Sequence, residues 1–460
     1  MNTGIISTEK IGKLISQKKY AILHSIISEA EPQDIAEIFE SLTKEQYPVL
    51  FRILPKELAA EVFVELPAEK QQYLIELFSD SELRAVLDEL FLDDTVDIIE
   101  EMPATVVKRI LENSTNKNRK SINELLRYPD DSAGSIMTTE YVCLKRQWTV
   151  DQAFALIRKV AIDKETIYTC YVTDENRKLI GMITAVTLLI SDRDAKIQDI
   201  MDDHVISVNT LEDQEEVTQL IQKYDVLALP VVDAENRLVG IITVDDAIDV
   251  MQDEAEEDFA KMAAITPNEK PYLKMSVHEI WKTRIPWLML LMISATFTSL
   301  IISKFENALE KIVVLTAYIP MLMDTGGNSG SQASVTVIRG ISLGEVAFSD
   351  LPKVLWKEFR TALLCGVTLG GVSFVKVILV DRFLLGSSSI TLSIALVICL
   401  TLCCTVICAK IIGCSLPLLA EKLGFDPAVM ASPFITTIVD AVSLLVYMGL
   451  ATAFLHLGSL

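Results

Sequence analysis

Five long stretches of this chain carry almost no charge, and all of them lie after Arg284. Ile285–Ser303 gives 19 uncharged residues, and Phe383–Ala409 gives 27. Ile312–Ile338 is broken only by Asp324, Thr361–Val380 only by Lys376, and the run from Pro427 onward only by Asp440. A hydrocarbon core of roughly 30 Å is crossed by about 20 helical residues. Helices satisfy their own backbone there, as open strands cannot. We therefore expect five spanning helices, at about 285–303, 312–338, 361–380, 390–412 and 428–456.

The basic residues orient these spans. Lys274, Lys282 and Arg284 precede the first, and Arg339, Lys353, Lys357 and Arg360 lie between the second and third. On the opposite side Lys304 and Lys311 are balanced by Glu306 and Glu310, and Arg382 by Asp381. This bias predicts a cytoplasmic N-terminus and, after five spans, a C-terminus outside the plasma membrane.

Charge divides the chain near residue 270. From Pro271 onward there are 11 acidic and 13 basic residues, which leaves 52 acidic and 28 basic residues in 1–270. So acidic a region excludes a nucleic-acid partner, which needs a basic footprint. It either attracts cations or is simply well solvated. The opening "MNTGIISTEKIGKLISQKKY" lacks the apolar core of a secretory signal, so we expect this region in the cytoplasm. Of eight cysteines, Cys399/Cys403 and Cys404/Cys408 share helical faces, as soft-metal ligands or as small fillers. No disulfide framework is expected in the cytoplasm. With four scattered His and no phosphate loop, an enzyme is not expected.

Asp324 and Asp440 stand out because a carboxylate in a membrane costs about 2.5–3.5 kcal/mol on insertion scales. Counting from the expected span ends, Asp324 lies about 18 Å and Asp440 about 20 Å into the bilayer. Pro320 and Pro433 would each remove a helical hydrogen bond, freeing the carbonyls of Thr316 and Val429. Carboxylates, carbonyls and the amides of "MLMDTGGNSGSQAS" form a hard-oxygen environment suited to Mg²⁺ or Ca²⁺.

The acidic half holds two kinds of repeat. "IMTTEYVCLKRQWTVDQAFALIRK" and "YVTDENRKLIGMIT" recur as "IMDDHVISVNTLEDQEEVTQLIQK" and "LPVVDAENRLVGIIT", with Ile136 matching Ile200. Each copy reads strand, helix, strand, turn, strand, helix. This resembles a tandem pair of CBS domains, a module that often binds adenine nucleotides. The second copy keeps the family's ribose-phosphate signature as "GIITVDD", which implies Thr243 and Asp246 as ATP or other adenine-nucleotide contacts. The first copy has Thr187 in place of the Asp.

Residues 20–120 carry a fainter helical repeat of about 24 residues, in which Ile38, Val62 and Val86 align, as do Phe39, Phe63 and Leu87. Asp93 and Asp97 share one helical face, either solvated or with a cation between them. "DDAIDVMQDEAEEDFAKM" reads as an acidic amphipathic helix leading toward the membrane.

With "PMLMDTGGNSGSQAS" in the second span and "DPAVMASPFITTIVD" entering the fifth, the whole chain resembles the MgtE-type magnesium transporter family. The resemblance implies an α-helical superhelical N domain (1–132), α/β tandem CBS domains (133–196 and 197–250), an acidic connecting helix (251–275) and an α-helical five-span transmembrane domain (276–460). It implies a homodimeric, Mg²⁺-selective channel for uptake, closed by cytoplasmic Mg²⁺. Asp440 matches the pore aspartate, and Asn328 and Gln332 match polar positions of the second-span motif. Asp324 is this chain's own candidate pore ligand. Asp426 matches the cytoplasmic mouth, and Asp213, Glu215 and Asp225 match CBS positions for regulatory ions. Asp246, Asp249, Glu254, Glu257 and Asp258 match the connecting helix, and Glu61, Asp93 and Asp97 the helical domain. Where some members carry Asn before the fifth-span proline, this chain has Ser432. The alternative is an ion-coupled secondary transporter with nucleotide-sensing CBS domains, using Asp324 and Lys376 as relay groups.

Overall fold

The computed structural model describes residues 8–268, 270, 272–387 and 389–455. The chain forms two compact units, 1–251 and 252–460.

The first unit begins with short helices from Thr8–Ser16 to Asn116–Leu125. Several start directly after Pro55, Pro67 or Pro103, whose missing N–H is not needed at a helix start. One starts on a reciprocal Ser79–Glu82 capping box. The repeat read in the sequence is the core: Ile38, Val62, Val86, Phe39, Phe63 and Leu87 are all buried. The helix α1, Leu92–Glu100, carries Asp93, Asp94 and Asp97.

Two three-stranded sheets follow. In the first, β1 (Cys143–Lys145) pairs parallel with β2 (Thr169–Thr173), which pairs antiparallel with β3 (Leu179–Thr184). The second repeats this with β4 (Val208–Asn209), β5 (Ala228–Val232) and β6 (Leu238–Thr243). The copies interlock through the repeated Ile-Met pair. Met137 lies against Gly240 of β6, and Met201 against Gly181 of β3, where a Cβ would collide with the methionine sulfur. These two glycines thus permit the exchange. The glycines are 59 positions apart although the Ile-Met pairs are 64 apart, so the first copy carries five extra residues before β2. Glu165 lies in that longer connection.

The acidic connecting helix is α2, Val244–Met262, not 251–275: it starts as β6 ends and stops well before the membrane helices. These are α3 (Val277–Lys304), α4 (Ile319–Ser342), α5 (Leu351–Val375), α6 (Leu392–Lys422) and α7 (Ser432–Phe454). Among the described residues, four helical segments are long and apolar enough to cross a membrane: α3, α5 with its flanks, α6 and α7. The fifth long helix, α4, has 24 residues, and its polar motif lowers its hydropathy. α6 is the centre, with α4, α5 and α7 packed on it. α3 packs on α7 and has no fully buried residue within the unit; it exposes Leu288, Met292, Ile293 and Phe297, a surface suited to lipid.

Three expectations about these helices change. The first span starts at Val277 rather than 285, on a capping box of Ser276 and Glu279. The second starts at Ile319 rather than 312, after a 3₁₀ turn over Val313–Tyr318. Pro320 and Pro433 therefore sit in first turns, where no hydrogen bond is lost, and do not break helices. The Thr316 carbonyl is not freed; it accepts from the Ile319 N–H. Asp324 lies only about 7.5 Å from the start of its helix, and Asp440 about 12 Å from the start of α7. The expected end of the last span, at 456, lies outside the described residues, as does the side chain of Ser432.

The glycines of the α4 motif serve helix packing. A Cβ at Gly326 would meet Ser443 and Thr405, one at Gly327 would meet Thr436, and one at Gly330 would meet Ile435. On α6, Gly413 faces the Gly330 carbonyl, with no room for a side chain. Small residues of this kind let membrane helices approach closely. The cysteines are fillers of the same sort: Cys403 Sγ donates to the Gly366 carbonyl at 2.9 Å on α5.

Candidate functional site

Packing one face of α4 through glycines leaves its other face uncovered. Asp324, Asn328 and Gln332 recur every fourth residue, which places them in one stripe, and all three are exposed. Asp324 and Asn328 face α7 across a cleft of about 440 Å³, also lined by Ile319, Pro320, Met323, Gly327, Thr436 and Asp440. Gln332 continues the stripe a turn beyond the cleft lining. The cleft offers two carboxylates, an amide and a hydroxyl, all hard-oxygen donors that suit a hydrated Mg²⁺ or Ca²⁺.

At the other end of α4, the last turns of α2 dock beside the start of α7. Met262 packs on Ile338, Ala428 and Ala431. Asp426 caps the turn Pro427–Met430, accepting from the Ala428 N–H at 2.7 Å. The Lys261 ammonium sits between Asp426, at 2.6 Å, and Glu257, at 2.7 Å. Burial alone would lower the Lys261 pKa, but its hydrogen bonds to the two carboxylates outweigh that and raise it. Asp258 accepts from the Ser342 hydroxyl at 3.0 Å, and burial holds its pKa above the ordinary carboxylate value. The structure thus brings together Glu257, Asp258 and Asp426. Glu254 is half-buried one turn earlier on α2, and Asp249 is exposed.

The first unit contains a second acidic centre. Asp93, Asp94 and Asp97 on α1 lie near Glu140, Glu165 and Asp246, so that their charges act on one another. Glu140 ties the centre together: its carboxylate accepts from the Leu92 N–H at 3.1 Å, and its carbonyl from the Glu165 N–H at 2.9 Å. Burial, then like charge, drives the pKa values up, to about 7 for Asp94 and Asp97 and about 8 for Glu165. Burial also raises Asp93 and Asp246 to about 6. Asp93 Oδ1 is buried with no hydrogen-bond partner. A buried, unpaired carboxylate oxygen among further carboxylates fits a hard cation. Among the described residues, no three of these groups bring ligand atoms within 4.8 Å; the set that does is the exposed Asp202, Asp203 and His204.

Sequence reasoning singled out Asp93, Asp97 and Asp246 here but missed Asp94, Glu140 and Glu165. The five extra residues of the first CBS copy were the one available signal. Asp213, Glu215 and Asp225, expected at regulatory positions, lie on or beside one helix of the second CBS copy. Asp213 caps the N-terminus of the helix Gln214–Tyr224 and Asp225 ends it in a left-handed conformation, so they stand about 18 Å apart. Glu215, in the first turn, stays with Asp213. Glu61 is exposed, and it is Glu65 whose charge reaches Asp94. Thr243 donates its hydroxyl hydrogen bond to the Asp246 carboxylate, so the nucleotide signature adjoins the acidic centre.

A helical domain, a CBS pair and glycine-packed membrane helices with an acidic cleft define an integral-membrane transporter, not an enzyme. Family models match in that order: the MgtE intracellular N domain at 30–131, CBS domains at 133–192 and 197–253, and the MgtE divalent cation transporter domain at 319–450. The magnesium transporter MgtE of Thermus thermophilus is 36% identical over 438 residues, covering 94% of this chain and 95% of its own. That of Bacillus subtilis is 34% identical over 451 residues, covering 96% of each. The crystal structure of the cytosolic domain of the Mg²⁺ channel MgtE in complex with ATP matches at 36% identity and a TM-score of 0.51, covering 53% of this chain and 99% of that one. The chain belongs to the MgtE magnesium transporter family.

Proposed function

We propose that the chain forms a Mg²⁺-selective, channel-like path for uptake across the plasma membrane, closed by Mg²⁺ on the cytoplasmic side. The observation that carries this reading is the α4–α7 cleft, with Asp324, Asn328, Thr436 and Asp440. An exposed polar stripe on a membrane helix is costly against lipid, so two protomers bring their stripes together around a central water-filled path. All five long helices cross the bilayer, α4 included, with the N-terminus inside and the C-terminus outside. Asp440 and the neutral oxygens beside it hold Mg²⁺ through its retained water. Uptake follows the membrane potential, worth about 2.3 kcal/mol per charge per 100 mV.

Closure is the work of the acidic centres. Asp93, Asp94, Asp97, Glu165 and Asp246 would hold regulatory Mg²⁺ in the first unit, and Glu257, Asp258 and Asp426 at the pore mouth. Without a counter-ion these carboxylates repel at short range, and salt screens that repulsion beyond roughly 8 Å. Thr243 and Asp246, which bond to each other, would contact a nucleotide ribose, and the related cytosolic domain crystallised with ATP supports an adenine nucleotide there. The secondary-transporter reading is less supported, because Lys376 pairs with Asp381 and does not line the cleft. In proteoliposomes, Asp440→Ala should abolish Mg²⁺ uptake while the protein remains folded; undiminished uptake would refute the cleft as the path.

A further inference from the structure

After α5 the chain changes its winding. Lys376–Leu384 is a π-helix of nine residues, a rare geometry that is frequent at functional sites. In an α-helix, residues five apart point roughly 140° away from each other. The i→i+5 winding instead stacks them. Lys376 and Asp381 are five apart, and the Lys376 ammonium donates to Asp381 Oδ2 at 2.8 Å. The π-helix is thus what allows this ion pair to form.

The pair is not isolated. Asp381 is 8% exposed, and the Tyr318 hydroxyl donates to the same Oδ2 at 2.7 Å. The Lys376 ammonium lies 5.4 Å from the centre of the Tyr318 ring, within range of a cation–π contact. Tyr318 ends the 3₁₀ turn Val313–Tyr318 and immediately precedes Ile319, the first residue of α4. The same turn is gripped from the other side: the Tyr447 hydroxyl of α7 donates to the Leu315 carbonyl at 3.0 Å. Hence one short segment is tied to the π-helix by Tyr318 and to α7 by Tyr447. Its continuation, α4, carries Asp324 and Asn328, and α7 carries Asp440.

We propose that Asp381, paired with Lys376 and Tyr318, is a positioning residue for the cation cleft: it fixes the start of α4 and thereby how Asp324 and Asn328 face Asp440. This rests on the reading of the α4–α7 cleft as the Mg²⁺ path. A lysine in an apolar helix calls for some carboxylate partner, but neutralisation alone does not require that carboxylate to accept from the residue preceding α4. Nor does it require the start of α4 to be tied to α7.

The test separates positioning from mere neutralisation. In Lys376→Leu/Asp381→Leu both charges go together, so neither is left without its partner. Mg²⁺ uptake by the full-length variant in proteoliposomes is measured against external Mg²⁺. The half-saturating concentration should rise about tenfold, the scale of one hydrogen bond to a charged group. Tyr318→Phe keeps the ring and loses only the hydroxyl, and should shift half-saturation in the same direction. If both variants keep the wild-type half-saturation, even with less uptake in amount, the positioning role is overturned. Asp440→Ala, run alongside, distinguishes the failures. Undiminished uptake there removes the cleft reading itself; abolished uptake with unshifted half-saturation in the other variants removes only the role of Asp381.

Discussion

At Gly413 the α6 backbone lies so close to the Gly330 carbonyl of α4 that a methyl group has no space. Gly413→Ala should therefore destabilise the full-length protein by about 1–3 kcal/mol, the usual cost of overpacking. Thermal unfolding in detergent would register this as a lower midpoint. An unchanged midpoint would mean the two helices can part at no cost. Residues of this kind differ in how far the sequence reveals them. Asp440 was legible because an apolar run isolates it. Asp381 was not: beside Arg382 it read as a balanced loop charge, and only the π-helix and Tyr318 give it a buried role. Asp94, Glu140 and Glu165 were single charges among many, and their meaning comes from distant segments converging on one another.

Among the elements, α1 depends most on solution conditions. Its Asp94 and Asp97 have pKa values raised to about 7, and Glu165 opposite them to about 8. A carboxyl raised in the folded state holds its proton there while the unfolded chain has lost it. The native packing thus binds more protons over the interval from about pH 4 to pH 8, and stability falls as pH rises through it. Cations should substitute for the missing protons. Limited proteolysis of the full-length protein within 1–251 should be faster at pH 8 than at pH 6 without Mg²⁺. Added Mg²⁺ should slow it more at pH 8. Equal protection by Mg²⁺ at both pH values would contradict an acidic, proton-competing centre. Element boundaries were less legible than element identities. The first span and the connecting helix were displaced because Ser276 and the end of β6, not the edge of the apolar run or of the acidic run, set where helices start. The prolines, read as breaks, mark helix starts.

At the scale of the whole molecule, repetition was the most legible feature. The 24-residue pattern became the buried core of the helical domain, and the duplicated Ile-Met pair became an exchange between two sheets. The exposure of the Asp324–Asn328–Gln332 stripe was not legible, because it follows from which face of α4 its glycines pack. On the proposed function, Mg²⁺ passes through the cleft passively and cytoplasmic Mg²⁺ shuts it. Current recorded across a bilayer containing the purified protein tests this most directly. The Mg²⁺ current should follow the applied voltage, fall as Mg²⁺ is raised on the cytoplasmic face, and be absent in Asp440→Ala. A current indifferent to cytoplasmic Mg²⁺, or one that persists in Asp440→Ala, would contradict it.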